Sequence, residues 1–510
     1  MISETRTSTT RERIADLLIQ HEQVSRALVL PATGTAPGAG TTAFVVPAGD
    51  ADGAGRAGAE EQVEDWQQLY DRLYEDAEPG PWGDNFVGWN SSYDRRPIDR
   101  DEMRQWRSRT VERIRDLRPR RVLEIGAGSG LLLSRLARDC VSYWATDLSP
   151  VAVDDLARHV ADDPALADRV TLRAQPADRV DGLPTGYFDT VVINSVVQLF
   201  PSGDYLTTVV NRALTLLAPG GHVFLGDIRD PRSLSCLHTI VAVGRPTARD
   251  AAYVLRTARR TRAREEELFV HPDYFARLAH SHPELAGADL RLKRGDYHNE
   301  LSRHRYDVVL HKTGDDRFTA VADCAELRWG SDAEDTGELV ERMRGAELPV
   351  RVTGIPNARL AGEFAACRAL EAGAGLERAR ELLAHPERPD AVDPHTLDLL
   401  AERAGLHVAL TPAQGDPACF EAVFTDAGAH TDPGDGMGAG APALTGTYRP
   451  EQLADEPGSG SLTEIPAAVH RAEAFAARVH DWLRERLPAD ELPTAVVPVG
   501  TLPPLPEGSH

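Results

Sequence analysis

The junction at residues 121–130 constrains this 510-residue chain more than any other stretch. A short apolar run, Arg121-Val122-Leu123-Glu124-Ile125, passes directly into Gly126-Ala127-Gly128-Ser129-Gly130. Glycines at alternate positions let the backbone turn sharply from strand into helix and let a ligand approach the main chain. Further short apolar runs follow, separated by segments of helical period. Strands are expected at Arg121–Ile125, Tyr143–Thr146, Val170–Arg173, Phe188–Asn194 and His222–Gly226. Helices are expected over Gln62–Tyr74 and Asp101–Leu117, from Leu131, from Pro150, and over Tyr205–Leu217. This alternation predicts a parallel sheet covered on both faces. Two later strands, Leu290–Lys293 and Tyr306–His311, are expected to close it with an antiparallel hairpin. From Phe318 to Phe424 a second, shorter α/β pattern has strands at Pro349–Thr353 and Val408–Leu410. Low-complexity stretches at Pro31–Glu61 and Asp426–Ser461 read as surface linkers.

The glycine turn is not a lysine-bearing phosphate loop, because Lys293 and Lys312 are the only lysines and neither follows it. Glu124 puts an acid inside the strand's end. An adenosine carrying an ammonium and a sulfonium has no phosphate to cradle, so it suits this acid better than NAD does. Asp147 ends the next strand, where a carboxylate can accept both ribose hydroxyls. The competing reading is a glycine-rich turn with a helix-capping aspartate.

Charge narrows the partners: 79 acidic against 56 basic residues give a net −23, which disfavours nucleic acid. Five cysteines without C-x-x-C spacing encode neither a disulfide framework nor a zinc knuckle. His271, His282, His304 and His311 show no metal-ligand spacing, so no metal is expected. The chain has no run of eighteen apolar residues and no apolar core near its start, which predicts a soluble, cytoplasmic protein without a membrane partner.

Gln175-Pro176-Ala177-Asp178 after the third strand, Asn194-Ser195-Val196-Val197-Gln198 after the fourth, and Leu217-Ala218-Pro219-Gly220-Gly221 before the fifth complete a series. In this order it resembles the class I S-adenosylmethionine-dependent methyltransferases over roughly residues 62–312. The flanking words are more specific. Trp66-Gln67-Gln68-Leu69-Tyr70, Asn85-Phe86-Val87-Gly88-Trp89-Asn90-Ser91-Ser92-Tyr93, Gly226-Asp227-Ile228-Arg229, His298-Asn299-Glu300-Leu301 and Thr353-Gly354-Ile355-Pro356-Asn357 are similar to the N-methyltransferase domains of nonribosomal peptide synthetases.

The resemblance implies S-adenosylmethionine as cofactor. Glu124, Gly126, Gly128 and Gly130 would line its methionine part, Asp147 its ribose, Ala177 and Asp178 its adenine, with Asn194 and Ser195 near the sulfonium. It adds Tyr70, Tyr93, Ala127, Leu148 and Pro176 to the cofactor's surroundings. The acceptor would be the α-amine of an aminoacyl thioester on a peptidyl carrier protein. Glu102, Gln198, His298, Asn299 and Glu300 are the candidates to orient it or take its proton. Taken singly, Glu300 reads equally as a surface partner of Arg303, His298 as a sheet-edge histidine, and Asp227 and Arg229 as a mutual pair.

In that family the methyltransferase is usually inserted into the small C-terminal subdomain of an adenylation domain. Arg11–Leu30 with Thr42–Pro47, and Ala476–Ser509, are similar to its two halves. The expected organisation is therefore a split α+β subdomain from residues 1–50 and 462–510, around a methyltransferase core at 62–315 with a mostly parallel seven-stranded sheet. An accessory α/β lobe spans 316–425. The chain reads as complete and free-standing, with a carrier protein and an adenylation domain as candidate partners. Ser509 stands where the family's adenylation lysine would be, which argues against amino-acid activation. Rival readings are an O- or S-directed methyltransferase and a non-catalytic synthetase partner.

Overall fold

The computed structural model describes residues 10–31, 41–48, 54–76, 80–314, 318–426, 443–450, 462–499 and 502–503. The chain divides into two units, one of Asp65–Ile465 and one assembled from Met1–Glu64 and Pro466–His510. In the second, α1 (Thr10–Leu18) packs Ile14 and Leu18 into a cluster with Val29 and Val45. Those two valines come from β1 (Val24–Pro31) and β2 (Thr41–Pro47), which pair antiparallel. Helix α2 (Ala54–Glu75) begins well before the expected Gln62, because the alanine- and glutamate-rich stretch ahead of it is itself helix-forming.

In the larger unit, α3 (Arg100–Arg115) starts where the Asp99 side chain accepts the N–H groups of Asp101 and Glu102. After β3 (Arg121–Ile125) the expected helix is a single turn, α4 (Leu133–Leu136), running into a 3₁₀ turn. Three left-handed glycines (126, 128 and 130) occupy its approach, and no side chain caps it at Leu132. The chain continues through β4 (Ser142–Asp147), α5 (Pro150–Ala161), α6 (Pro164–Ala167), β5 (Val170–Ala174), β6 (Phe188–Asn194), α7 (Gly203–Leu216) and β7 (Leu217–Arg229). Helix α7 stops one residue short of the expected Leu217, because Leu217 enters the ladder opposite Phe188. An insertion of α8 (Pro231–Gly244), α9 (Ala251–Arg262), β8 (Phe269–Val270) and α10 (Pro272–Ser281) leads to β9 (Leu285–Leu292), α11 (Glu300–His304) and β10 (Arg305–Lys312).

These strands form a seven-stranded sheet in the order β5-β4-β3-β6-β7-β10-β9. The pairings from β5 to β7 are parallel, while β10 runs antiparallel to both neighbours. The strand order reverses beside β3, so the ends of β3 and β6 flank a crevice at one edge of the sheet. The start of antiparallel β10 lies at that same edge, opposite Arg229 at the end of β7.

Beyond it, β11 (Thr319–Ala320), β12 (Ala325–Arg328), α12 (Thr336–Arg344), β13 (Val350–Pro356), α13 (Ala361–Glu371), α14 (Leu376–Ala384), α15 (Pro394–Arg403), β14 (Leu406–Pro412) and β15 (Cys419–Asp426) follow. They give a four-stranded sheet, β12-β13-β15-β14. Part of the stretch expected to be linker is core. Within it β16 (Leu444–Thr445) pairs with β11, and Leu444, Thr447 and Tyr448 are buried. Thr447 donates to Asp289, and the Tyr448 hydroxyl to Asp273. A few packing residues among glycines and prolines were enough to defeat a reading from average composition.

Strand β17 (Thr463–Glu464) pairs with β8. In the smaller unit, α16 (Pro466–Arg484) adds Phe475, Val479 and Leu483 to the α1 cluster, and β18 (Ala495–Pro498) pairs parallel with β2. Strands from both chain ends thus share one sheet. The expectations for residues 32–40, 427–442 and 451–461, and for Ser509, lie outside the described residues. No helix among the described residues is long and apolar enough to cross a membrane.

Candidate functional site

A cavity of about 270 Å³ opens at the crevice edge of the sheet. Its first wall is the turn after β3. Gly126 has φ +80°, and a Cβ there would lie 2.3 Å from Val196 Cγ2. Gly128 has φ +51° and would meet the Tyr74 hydroxyl at 2.9 Å. Side chains are therefore excluded at both positions by conformation and by space. Tyr70 and Tyr74 of α2 cover this turn with ring centroids 5.9 Å apart.

Glu124 is buried and also lines the cavity; the Tyr143 hydroxyl donates to it at 2.8 Å. Burial pushes its carboxyl from the ordinary 4.5 up to about 8; Asp147 adds to the shift and Tyr143 opposes it. Asp147 lies behind the turn, where one oxygen accepts the Gly128 N–H at 2.7 Å and the other the Ser149 N–H at 2.9 Å. Burial raises its carboxyl too, against those two N–H groups.

The opposite wall follows β6. Ser195, with φ +59°, donates to Asp227 at 2.6 Å and accepts from the Asn194 amide at 3.0 Å. The Gln198 amide donates to the Ser195 carbonyl at 2.8 Å. Asn194 Oδ1 and Gln198 Oε1 are buried and have no hydrogen-bond partner among the described residues. Behind Ser195, Asp227 accepts Trp106 Nε1 at 2.9 Å and Lys293 Nζ at 2.7 Å, and Lys293 also reaches Asp307 at 2.9 Å. Burial would lower the Lys293 ammonium, but the two carboxylates outweigh it and hold it charged, above the ordinary lysine range. Asp227 and Arg229 do not pair with each other. Arg229 is bound by Glu267 and lies over the Phe269 ring, while Asp227, with φ +62° beside a register shift in the β7–β10 ladder, takes Lys293 and Trp106.

At the far end Glu300 is buried rather than on the surface. Its carboxylate accepts the Ser92 N–H, while Arg303 pairs instead with Glu363 at 2.9 Å. The cavity brings together Tyr70, Glu124, Gly126, Ala127, Gly128, Asn194 and Ser195 with Gln198 and Glu300.

Other candidates, Asp147 among them, lie outside its lining. Gly130 packs under Trp82, and Leu148 follows Asp147 on the way to α5. Tyr93 donates to Glu363 at 2.9 Å. Asp178, after Pro176 and Ala177, accepts the Tyr205 hydroxyl at 3.0 Å. Asn299 caps α11 and donates to Glu102 at 2.8 Å, so those two serve each other. His298 precedes α11 in a loop, not at a sheet edge; its side chain is 48% exposed and lies 4.0 Å from Asp393. Trp89, Glu267 and Arg305 line the cavity but did not stand out as site residues in the sequence. Glu267 belongs to the insertion, far from every motif. Arg305 sits at the start of an ordinary apolar strand run, where nothing singles out its side chain.

The residues fit an adenosyl sulfonium. The glycine turn carries no cation for a phosphate, Glu124 near the end of β3 lines the cavity with Asp147 behind it at the end of β4, and the buried side-chain carbonyls of Asn194 and Gln198 have no hydrogen-bond partner among the described residues. Glu124, Gly126, Gly128, Asn194 and Ser195 would hold its amino-acid end, with Asp147 toward the ribose.

The methyltransferase domain family matches residues 123–223. The chain is 35% identical over 492 residues to the "Probable non-canonical nonribosomal peptide synthetase (NRPS) CymA" of Salinispora arenicola, covering 96% of this chain and 6% of that protein. It is 33% identical over 514 residues to the chondramide synthase cmdD of Chondromyces crocatus, covering 96% and 12%. The beauvericin nonribosomal cyclodepsipeptide synthetase of Beauveria bassiana is 35% identical over 277 residues, covering 52% and 8%. The chain thus spans a small fraction of the length of these relatives. Among solved structures, the N-methyltransferase NodS of Bradyrhizobium japonicum in complex with S-adenosyl-L-homocysteine aligns at 16% identity and TM-score 0.29, over 48% of this chain and 97% of its own.

Proposed function

We propose that this chain, which carries a methyltransferase domain and aligns over 96% of its length with nonribosomal peptide synthetase sequence, N-methylates the α-amine of an aminoacyl thioester on a peptidyl carrier protein. Its cofactor is S-adenosylmethionine, which when bound supplies a methyl group on a sulfonium that leaves as a neutral thioether. One observation carries the reading: the same cavity is lined by the glycine turn, by Gln198, whose buried Oε1 has no hydrogen-bond partner among the described residues, and by the buried Glu300.

In this reading Tyr70 and Tyr74 exclude water from the turn. Gln198 Oε1 accepts an N–H of the amine and aims its lone pair along the sheet edge. Glu300, already oriented by the Ser92 N–H, takes the proton the amine gives up. Ser195, anchored on Asp227, keeps the wall rigid. The smaller unit is read as the remnant of an adenylation-type subdomain, serving to dock a carrier or adenylation partner.

Glu300→Gln is expected to lower turnover roughly hundredfold, the lower end of the range for positioned proton transfer, with cofactor affinity within about twofold. Steady-state rates beside a calorimetric titration check this, and unchanged turnover would return Glu300 to a structural role.

Glu124 adds a pH signature. Its folded pKa of about 8 lies above the ordinary 4.5, so the empty protein keeps a proton that the unfolded chain gives up. Stability from this group is full below about pH 4.5 and declines as pH rises toward 8. An ammonium placed beside this carboxyl favours the ionised form, and S-adenosylhomocysteine carries one on its amino-acid end, so its affinity is expected to rise from pH 6.5 to 8, and Glu124→Gln to flatten that rise. A profile unchanged by the substitution would remove Glu124 from the ligand's surroundings.

The cofactor half of the proposal is tested by titrating the protein with S-adenosylhomocysteine in a calorimeter. Saturable heat is expected. Its absence at high protein concentration would favour a non-catalytic synthetase partner.

A further inference from the structure

Two arginines face the cavity from adjacent strands, and they are not equivalent. Arg305 opens β10 directly opposite Arg229 on β7. Arg229 has its charge met by Glu267 and Glu265 and its plane by Phe269. Arg305 makes no salt bridge among the described residues, and its Nη1 is buried without a hydrogen-bond partner. A buried guanidinium N–H left unpaired is costly unless a ligand completes it. Of the residues that line the cavity, Arg305 thus holds an unmatched donor in its buried Nη1 and Gln198 an unmatched acceptor in its buried Oε1, while Asn194 Oδ1 faces Gly226. The complementary ligand carries N–H donors close to a carbonyl-type acceptor.

We propose that Arg305 grips the carbonyl oxygen adjacent to the amine that is methylated, so that the acceptor is recognised as an α-amino carbonyl compound. This rests on the methyl-transfer reading above and names the group that orients its substrate.

The cofactor's own amino-acid end has similar chemistry, but sheet order argues against it. The sequence β3-β6-β7-β10 puts Arg305 three strands from the glycine turn. At ~4.8 Å per strand that is ~14 Å. Gln198, following β6, stands between them, at the distance suited to a second molecule rather than to the group held by the turn. The planar fork of arginine also suits a carbonyl or carboxylate oxygen better than a point charge would.

The test uses the full chain with Arg305→Met and Arg305→Lys. The probes are S-adenosylhomocysteine, a panel of aminoacyl N-acetylcysteamine thioesters, and the matching free amino acids. Calorimetry reads binding, steady-state kinetics read KM and kcat, and a thermal melt checks folding. Arg305→Met is expected to leave S-adenosylhomocysteine affinity within twofold and to weaken binding and KM for an acceptor at least tenfold, with partial recovery in Arg305→Lys. Loss confined to thioesters identifies the thioester carbonyl as the group gripped, and loss confined to free amino acids identifies the carboxylate. A tenfold fall in S-adenosylhomocysteine affinity, or unchanged acceptor binding, overturns the proposal. A wild-type protein that binds S-adenosylhomocysteine but no probe overturns it while leaving the cofactor site standing. Probe binding that depends on Arg305 without methyl transfer would overturn only the activity.

Discussion

Lys293→Met is expected to destabilise the larger unit by about 3–5 kcal/mol, the range for removing one partner of a buried ion cluster. The side chain is 2% exposed and stands between two carboxylates, at 2.7 Å from Asp227 and 2.9 Å from Asp307. A methionine fills much the same volume, so the loss is electrostatic: two buried acids are left facing each other with no cation between them. Asp227 would keep Trp106 Nε1 and the Ser195 hydroxyl as donors, which offset only part of the cost. Adding Asp227→Asn and Asp307→Asn removes both orphaned charges and is expected to restore most of the lost stability. Urea unfolding midpoints of the single and triple variants check both statements. A single variant within 1 kcal/mol of wild type would mean that water or another cation screens the pair.

Asp147→Ala is expected to weaken cofactor binding by roughly 2–3 kcal/mol, about 30- to 150-fold, as suits the loss of charge-assisted bonds to two hydroxyls. The structure adds a second reason for a large effect. The same carboxylate braces the glycine turn through the Gly128 N–H and the start of α5 through the Ser149 N–H. Asp147 is buried and lies outside the cavity lining, so this second route acts on binding through the glycine turn. Asp147→Asn preserves one carbonyl acceptor and is expected to lose less. Calorimetric titrations with S-adenosylhomocysteine rank the three proteins, and equal affinity for Asp147→Ala would place the ribose elsewhere.

Much of the core was legible because its signals are local. Arg121–Ile125 and Phe188–Asn194 are short apolar runs bounded by turn residues, and the strands have those bounds. The glycine turn was legible for the same reason, since its positive φ values demand the residue type that the sequence displays. What failed depends on contacts between distant segments. Lys293 and Asp227 meet across the sheet, and nothing near either residue in the chain announces the other. Lys293 did carry a signal of its own, as one of only two lysines in the chain.

Around α11 the sequence proposed His298, Asn299 and Glu300 together, but consecutive residues at a helix start face different ways. Glu300 turns into the cavity, Asn299 caps the helix and His298 faces outward. Leu444 to Tyr448 were hidden by their glycine-rich neighbours, although burying a few side chains suffices to bind a segment to the core.

The most direct measurement is methyl transfer itself. The protein is incubated with methyl-labelled S-adenosylmethionine and a carrier protein loaded in turn with each aminoacyl group, and fragmentation mass spectrometry locates the label. The proposed function predicts label on the α-nitrogen of at least one carrier-bound amino acid. Label on a side-chain oxygen or sulfur, or no transfer to any amino acid, would contradict it.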